Sequence, residues 1–209
     1  MVEPLPQPLH QPLSQGVELM LGGQKSGKSR RAEHLAAAWL ALPPCQGHTR
    51  EAVLIATGQA WDDEMAQRIT RHQRDRAERV PGLHTLEVPL AVAQAITDHS
   101  APHRLLVLDC LTLWLTNLLM PMEAEAANDS ASNTDLAQHH QAQEALLLEA
   151  LRHATGPVVL VGNEIGLGVI PLGREVRAFV DALGRLNQDV ASVADRVVLM
   201  VAGCPLVIK

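Results

Sequence analysis

Residues 22 to 29 read Gly22-Gly23-Gln24-Lys25-Ser26-Gly27-Lys28-Ser29 and directly follow the apolar run Val17-Glu18-Leu19-Met20-Leu21. This is the G-x-x-x-x-G-K-S pattern of a phosphate loop, placed between a predicted buried strand and a predicted helix that begins at about Ser26. In that setting the backbone N–H groups of the loop and the positive end of the helix dipole face the same space, where they bind anionic phosphates. The pattern therefore predicts a nucleoside triphosphate site in an α/β fold.

Four residues of the loop have individual roles in this prediction. Gly22 and Gly27 permit backbone torsions that a side chain would obstruct. Lys28 reaches the β and γ phosphates, and the hydroxyl of Ser29 completes the coordination of Mg²⁺. The coincidence of these fixed residues with a strand-to-helix setting argues against a chance glycine-rich turn.

Composition and charge favour one globular domain with a small-molecule partner. The chain has 209 residues, of which 47% are hydrophobic and 19% charged, enough for one α/β domain with a substantial core. Its formal net charge is −6 and only 2% of its residues are aromatic. Nucleic-acid binders usually carry a clustered basic face or aromatic stacking platforms, so no nucleic-acid partner is expected.

The three cysteines indicate a reducing compartment. Cys45, Cys110 and Cys204 are widely spaced and form no C-x-x-C pair, so neither a disulfide framework nor a structural zinc site is expected. Cys110 is expected to be a buried, unreactive thiol. No apolar run approaches the ~18 residues that a membrane span requires, and the N-terminus lacks the layout of a signal peptide. We therefore expect a soluble, cytoplasmic protein with no membrane span.

The remaining sequence alternates between short apolar strands and helical segments. Residues 1–16 are rich in proline and predict a mobile arm, whereas 17–209 predict one nucleotide-binding α/β domain. Strands are predicted at 17–21, 52–56, 85–88, 105–108 and 157–161, and helices at 26–40, 62–78, 90–97, 136–153 and 174–194. The runs 196–201 and 205–208 predict an antiparallel hairpin at the sheet edge, and 121–135 a mobile loop. The fold class is thus a mainly parallel sheet flanked by helices.

Polar residues follow several of the predicted strands, at the sheet edge where open α/β folds bind their ligands. Thr57-Gly58 follows the second strand, Asp109 follows the strand 105–108, and Asn163-Glu164 follows the strand 157–161. Asp109 has the position of the acidic residue that holds Mg²⁺ in phosphate-loop enzymes. The alternative is that Asp109 caps the helix that starts at Leu111.

The predicted helix 62–78 carries an unusual concentration of positive charge for an acidic protein. His72 lies among Arg68, Arg71, Arg74 and Arg76. An exposed helix whose charges complement its dipole would account for this pattern. Alternatively, the cationic setting attracts a polyphosphate and disfavours a protonated imidazole, so that His72 could attack phosphorus.

With these motifs together, the chain from about Val17 to Lys209 resembles the bifunctional adenosylcobinamide kinase and adenosylcobinamide-phosphate guanylyltransferase family of cobalamin biosynthesis. The residues that carry the resemblance are Gly-Gly-Gln-Lys-Ser-Gly-Lys-Ser-Arg at 22–30, Ile-Ala-Thr at 55–57, Asp-Asp-Glu-Met-Ala-x-Arg-Ile at 62–69 with His72, Asp-Cys-Leu-Thr-Leu-Trp-Leu-Thr-Asn-Leu-Leu at 109–119, Asn-Glu-Ile-Gly-Leu-Gly at 163–168 and Gly-Arg-Leu-Asn-Gln at 184–188. A phosphate loop alone occurs in many enzymes, but this combination is specific.

The resemblance implies a fold, an activity and a set of site residues. The fold is a RecA-like phosphate-loop domain. The activity is phosphorylation of adenosylcobinamide with ATP or GTP, followed by GMP transfer from GTP through a guanylyl-histidine at His72. Mg²⁺ assists the kinase reaction, and relatives form trimers. The positions that match nucleotide contacts are Gly22, Gly23, Gln24, Lys25, Ser26, Gly27, Lys28, Ser29, Ala56, Thr57, Gly58, Gln73, Arg74, Asp75, Arg76, Glu87 and Asp109, with Ser29 and Asp109 also matching metal ligands.

This chain departs from the family pattern just after His72. Members commonly read Arg-x-x-Arg-Pro and then Trp-x-Thr-x-Glu, whereas this chain has Gln-Arg-Asp-Arg-Ala at 73–77 and Leu-His-Thr-Leu-Glu at 83–87, after about three extra residues. Two other functions remain open at this point: a small-molecule kinase that transfers only the γ phosphate, and a nucleotide-binding regulator with little turnover.

Overall fold

A computed structural model describes residues 11–60, 63–120 and 133–209; within these ranges the side chains of 64, 65, 68, 72 and 133–138 are not described. In the described part of the chain seven strands form one sheet: β1 Val17–Gly22, β2 Glu51–Ala56, β3 Leu83–Glu87, β4 Arg104–Asp109, β5 Val158–Val161, β6 Arg196–Val201 and β7 Cys204–Val207. Within the same ranges six helices flank the sheet: α1 Lys28–Leu40, α2 Asp63–Arg79, α3 Val92–His99, α4 Leu111–Leu119, α5 Asn133–His153 and α6 Arg174–Val193.

The strand order is β3-β2-β4-β5-β1-β6-β7, and all neighbours are parallel except β6 and β7. The interior strand β1 lies between β5 and β6, and its pairing with β5 joins Val17 to Val158. The sequence prediction of a mainly parallel sheet with a C-terminal antiparallel hairpin is confirmed. The architecture is that of a phosphate-loop NTPase.

Helices cover both faces of the sheet, which explains why the strands read as continuous apolar runs instead of alternating ones. Leu19 packs in a core layer with α3, α4, α5 and α6, whereas its neighbour Met20 packs in a second layer against α1. Both side chains are fully buried. The core contains few aromatic residues, and Trp114 and Trp39 each anchor one layer.

The observed element boundaries differ from the predicted ones in informative places. α1 begins at Lys28 and not at Ser26, because Gly27 adopts a left-handed conformation that interrupts the helix. β3 begins at Leu83, earlier than predicted. α5 begins at Asn133, within the segment predicted to be a loop, and residues 121–132 of that segment lie outside the described residues.

The N-terminal segment makes contacts with the domain where it is described. Pro12 is buried, and the carbonyl oxygen of Gln11 accepts a hydrogen bond of 3.0 Å from Arg196. Gln11 and Pro12, assigned to the arm from composition, thus contact the domain; residues 1–10 lie outside the described ranges. Among the helices that the structure describes, none is long and apolar enough to cross a membrane.

Candidate nucleotide-binding site

Two glycines of the phosphate loop occupy positions that only glycine fits well. Gly22 has φ +152°, and a Cβ added there would lie 2.6 Å from the carbonyl oxygen of Met200. Gly27 has φ +101° and its Cβ would meet the Cα of Gly203 at 3.2 Å. The sequence predicted that both glycines permit backbone torsions that a side chain would obstruct. A Cβ at Gly23, by contrast, would meet nothing within 4 Å.

The turn between β6 and β7 supports the phosphate loop from the side. Ala202 and Gly203 both have positive φ, of 50° and 82°, as a tight hairpin turn requires. The backbone N–H of Gly203 donates a hydrogen bond of 2.9 Å to the carbonyl oxygen of Ser26. Sequence reasoning predicted the hairpin but not this contact. The hydrophobic pattern of β6 and β7 does not indicate which other segment packs beside their turn.

Lys28 points back into the phosphate loop. Its ammonium group donates to the carbonyl oxygens of Gly22 at 2.9 Å and Gly23 at 2.7 Å. Burial lowers the pKa of Lys28, and the neighbouring Cys110 and Asp109 oppose that shift. The structure thus places the cation at the concave side of the loop, beside an acidic group.

Asp109 lies at the carboxyl end of β4, in register with Ala56 of β2, which in turn is in register with Glu87 of β3. Burial raises the pKa of Asp109, whereas a hydrogen bond with Ser29 and the positive charges of Arg76 and Lys28 oppose the shift. Three predicted contact positions therefore meet at one edge of the sheet.

The alternative role of Asp109 as a helix cap is excluded by the structure. The N-cap of α4 is Cys110, whose sulfur accepts a hydrogen bond of 3.5 Å from the backbone N–H of Leu113. The sequence also predicted that the thiol of Cys110 is buried, and the structure confirms this burial. Burial raises the pKa of the thiol to about 11.

Thr57 is buried and uses its hydroxyl within the protein. The hydroxyl donates to the carbonyl oxygen of Cys110 at 2.8 Å and accepts from the backbone N–H of Cys110 at 2.9 Å. The amide of Asn117 also donates to the carbonyl oxygen of Thr57 at 2.8 Å. The side chain of Thr57 therefore shapes the sheet edge beside Asp109.

Helix α2 turns two of its four predicted contact residues toward that edge. The side-chain amide of Gln73 donates to Glu87 at 2.8 Å, and the side chain of Arg76 is buried. Arg74, in contrast, is 74% exposed and lies 3.8 Å from Asp75. His72 lies in α2 beside Gln73; its side chain is outside the described atoms.

Glu33 is a buried carboxylate beside the predicted contact residue Arg76, and sequence reasoning missed it. It is buried on α1, accepts two hydrogen bonds from Arg79, and lies 3.8 Å from the Nε of Arg76. The Nε of Arg76 is itself buried without a hydrogen-bond partner in the described part of the chain. Glu33 occupies an apolar face of α1. A charged residue in such a position is seldom buried without a partner, and this sequence feature could have indicated an ion pair there.

The residues beside the phosphate loop have the chemistry of a magnesium site. The hydroxyl of Ser29 opposes the rise in the pKa of Asp109, so a hydroxyl and a carboxylate lie close to each other near the start of α1. Mg²⁺ takes oxygen ligands and commonly binds one or two carboxylates together with substrate phosphates. Across 11–60, 63–120 and 133–209 no cluster of three or more His, Cys, Asp or Glu side chains is suited to a metal.

Asn163 and Glu164 continue from β5 next to the phosphate loop. The backbone N–H of Glu164 donates to the carbonyl oxygen of Gly22 at 3.1 Å. The side-chain amide of Asn187 on α6 donates to the carbonyl oxygen of Asn163 at 3.1 Å. The loop after β5 is therefore held between the phosphate loop and α6.

A mainly parallel sheet with a phosphate loop after β1, a buried lysine inside that loop and an acidic residue at the end of β4 defines a phosphate-loop nucleotide-binding protein. Comparison with known proteins identifies the family. The family model described as cobinamide kinase / cobinamide phosphate guanyltransferase matches residues 18–208. The chain belongs to this family.

Curated relatives agree with the family match over nearly their whole length. The chain is 42% identical over 193 residues to the bifunctional adenosylcobalamin biosynthesis protein CobP of Pseudomonas aeruginosa, covering 92% of this chain and 96% of that protein. It is 35% identical over 191 residues to the bifunctional adenosylcobalamin biosynthesis protein CobU of Escherichia coli, covering 91% and 98%. The CobU protein of Salmonella typhimurium matches to the same extent.

Proposed function

We propose that this protein phosphorylates adenosylcobinamide with ATP or GTP and then transfers GMP from GTP to that product, giving adenosylcobinamide-GDP in cobalamin biosynthesis. The observation that carries this function is the family match over 18–208, on a chain with an intact phosphate loop. Both reactions use the same kind of ligand, a nucleoside triphosphate bound through its phosphates.

In the kinase reaction the loop from Gly22 to Ser29 binds the triphosphate and Lys28 stabilises charge on the transferred phosphoryl group. The hydrogen bonds from Lys28 to Gly22 and Gly23 support this role, because they hold the ammonium group inside the loop. Mg²⁺ bound by Ser29 and Asp109 would supply further charge stabilisation. The protein contributes mainly position and electrostatics.

The remaining nucleotide contacts belong to the edge formed by β2, β3 and β4 and to α2. They are Ala56, Thr57, Gly58, Gln73, Arg74, Asp75, Arg76, Glu87 and Asp109. The register of Ala56 with Glu87 and Asp109 supports their common role, as does the hydrogen bond between Gln73 and Glu87. Within this set the side chain of Arg74 is exposed, whereas that of Arg76 is buried.

In the transferase reaction we assign His72 as the nucleophile. Its imidazole attacks the α phosphorus of GTP, a P–N bond forms, and the bond to the leaving pyrophosphate breaks. The phosphate of adenosylcobinamide phosphate then attacks the same phosphorus and displaces the histidine. The position of α2 supports this assignment: Ile69, one turn before His72, lies against Gly58, and Gln73 contacts Glu87.

Labelling with GTP that carries the isotope on its α phosphorus tests the covalent step. We expect wild-type protein to acquire a label that is stable in base and labile in acid, the behaviour of a phosphoramidate. His72→Ala should abolish the label, whereas His34→Ala, an exposed histidine on α1, should retain it. A label that persists in His72→Ala would overturn the assignment.

The same assay separates the two other functions. A kinase that transfers only the γ phosphate would give labelled cobinamide phosphate from γ-labelled nucleotide but no protein-bound α label. A regulator would hydrolyse nucleotide slowly and transfer nothing to a corrinoid. We also propose that the protein is a cytoplasmic homotrimer; sedimentation equilibrium measures the number of subunits.

A further inference from the structure

A cavity of ≈ 780 Å³ lies between the loop after β5 and helix α6, and we call it the loop–helix groove. Its lining includes Leu21 at the end of β1, residues 164–171, and one face of α6. The volume falls within the range of cavities that bind small organic ligands. None of the nucleotide contacts assigned above, from 22–29 to Asp109, lines it.

One wall of the groove is aliphatic and strongly exposed. The exposed fractions of Leu167, Val169 and Ile170 are 80%, 96% and 77%. Contiguous exposed aliphatic side chains usually mark a surface that is covered by a partner or a ligand. Arg177 of α6 donates to the carbonyl oxygen of Pro171 at 2.9 Å, so the far end of this wall is fixed to the helix.

The opposite wall is polar but carries no excess of charge. Arg177, Asp181, Arg185 and Gln188 line the groove and recur along α6 at the spacing of one helix face. Glu164 of the loop lines it too, so the lining contains two arginines and two carboxylates. A balanced wall of donors and acceptors suits a neutral ligand with amide groups better than a second polyphosphate.

The groove is continuous with the phosphate loop. Glu164, which lines the groove, donates its backbone N–H to Gly22, the first residue of that loop. The groove lies on the β1 and β5 side of the loop, while α2 and Asp109 belong to the β2, β3 and β4 side. A ligand in the groove would therefore approach the phosphates from the side opposite α2.

We propose that the loop–helix groove binds the corrinoid acceptor. The aliphatic wall contacts the macrocycle, and the polar face of α6 forms hydrogen bonds with its amide side chains. The groove joins two motifs that the nucleotide site leaves without a role, residues 163–168 and 184–188. This inference rests on the proposed function and adds to it the place where the acceptor is held.

Gly184 allows a direct test. It lies on α6, lines the groove, and a Cβ there would meet nothing within 4 Å. Gly184→Trp should obstruct part of the groove and raise the KM for cobinamide about tenfold or more, while the KM for GTP and the rate of His72 labelling stay within about twofold. Gly184→Ala is the matched control, and its KM for cobinamide should equal that of wild type.

A second pair of variants tests the opposite wall. Val169→Asp places a charge in the aliphatic wall and should raise the KM for cobinamide without affecting His72 labelling. Leu172→Asp is its control, because Leu172 is 97% exposed on the same segment but does not line the groove.

The outcomes distinguish the acceptor site from the proposed function. If wild-type protein transfers no phosphoryl group to cobinamide, the proposed function fails. If wild type is active and neither Gly184→Trp nor Val169→Asp alters the KM for cobinamide, the groove assignment is wrong. A change in subunit number in these two variants, with that KM unchanged, would show that the groove is a subunit contact and would equally overturn the assignment.

Discussion

Glu33 on α1 accepts two hydrogen bonds from the guanidinium group of Arg79 on α2, from Nε at 2.8 Å and from Nη2 at 3.0 Å. The carboxylate is buried and also lies 3.8 Å from Arg76. Helix α1 begins at the phosphate loop and α2 carries His72, so this one carboxylate joins the two helices that carry the residues proposed for phosphate binding and for guanylyl transfer.

Replacement of Glu33 by alanine should destabilise the protein. The variant leaves Arg76 and Arg79 without their shared partner, and we expect a loss of about 1–3 kcal/mol, moderated because Arg79 is 46% exposed. Urea unfolding followed by circular dichroism measures the change. Arg74→Ala, which removes an exposed guanidinium from the same helix, should unfold at the wild-type midpoint. Equal urea midpoints for wild type, Glu33→Ala and Arg74→Ala would contradict the inference that Glu33 stabilises the fold.

Glu18 should matter still more to stability. It is fully buried in β1, lies 3.1 Å from Arg31, and accepts a hydrogen bond of 2.9 Å from Arg196. Glu18→Ala leaves two arginines with little access to water, so we expect a loss of about 3–5 kcal/mol in the free energy of unfolding. Glu78→Ala, an exposed control on α2, should change this quantity by less than about 0.5 kcal/mol. A small effect at Glu18 would mean that water replaces the lost carboxylate.

Two adjacent glycines of the phosphate loop should respond differently to alanine. At Gly22 the new methyl group would lie 2.6 Å from the carbonyl oxygen of Met200, so Gly22→Ala should lower the melting temperature. At Gly23 the methyl group meets nothing within 4 Å, and Gly23→Ala should melt close to wild type. Differential scanning fluorimetry of the ligand-free proteins compares them. Similar melting temperatures for both variants would show that β6 yields to the added methyl group.

Asp109→Asn should stabilise the ligand-free protein and impair both reactions. Because burial raises the pKa of Asp109, the folded protein holds that proton to a higher pH than the unfolded chain does, and stability falls as pH rises through this interval. The variant removes that dependence, so its advantage over wild type should grow with pH across the interval. The kcat of Asp109→Asn should fall by about 10²-fold in each of the two reactions. Thermal unfolding at several pH values and steady-state assays measure the two effects; a loss of stability at neutral pH would contradict the prediction.

Cys110 should resist thiol reagents in the folded protein. Its pKa of about 11 leaves little thiolate at pH 8, whereas Cys204 is exposed and should react readily. Because the unfolded thiol ionises at lower pH than the folded one, Cys110 also makes stability decrease as pH rises toward about 11. Mass spectrometry after brief alkylation identifies the modified cysteines. Modification of Cys110 as fast as Cys204 would show that α4 opens in solution.

Much of the fold was predictable because its strands carry strong local signals. The run 105–108 is apolar on both faces and ends in a charged residue, and such a run has few placements other than a central strand. The strand β3 was harder to place, since His84 and Thr85 are exposed and weaken its hydrophobic pattern. The start of α1 was misplaced because a left-handed Gly27 is a property of the folded loop and not of its composition.

The site was predictable where one motif contains all the parts, and less so where distant segments meet. The phosphate loop is local, so Lys28 and both essential glycines could be placed from sequence. Glu33, by contrast, acquires its role only when α2 packs beside α1, and no local pattern states that Arg79 will be its partner. The same holds for Asn187, which meets Asn163 through tertiary packing alone.

The contact between Gly203 and Ser26 has a consequence for the nascent chain. The phosphate loop is synthesised early. Its conformation depends on the turn at Gly203, which lies more than 170 residues later in the chain, and on the pairing of β1 with β5 and β6. Until the ribosome has added residue 203, the nascent chain cannot form the hydrogen bond from Gly203 to Ser26. Competence to capture a nucleotide should therefore arise late in translation, in one step with closure of the sheet.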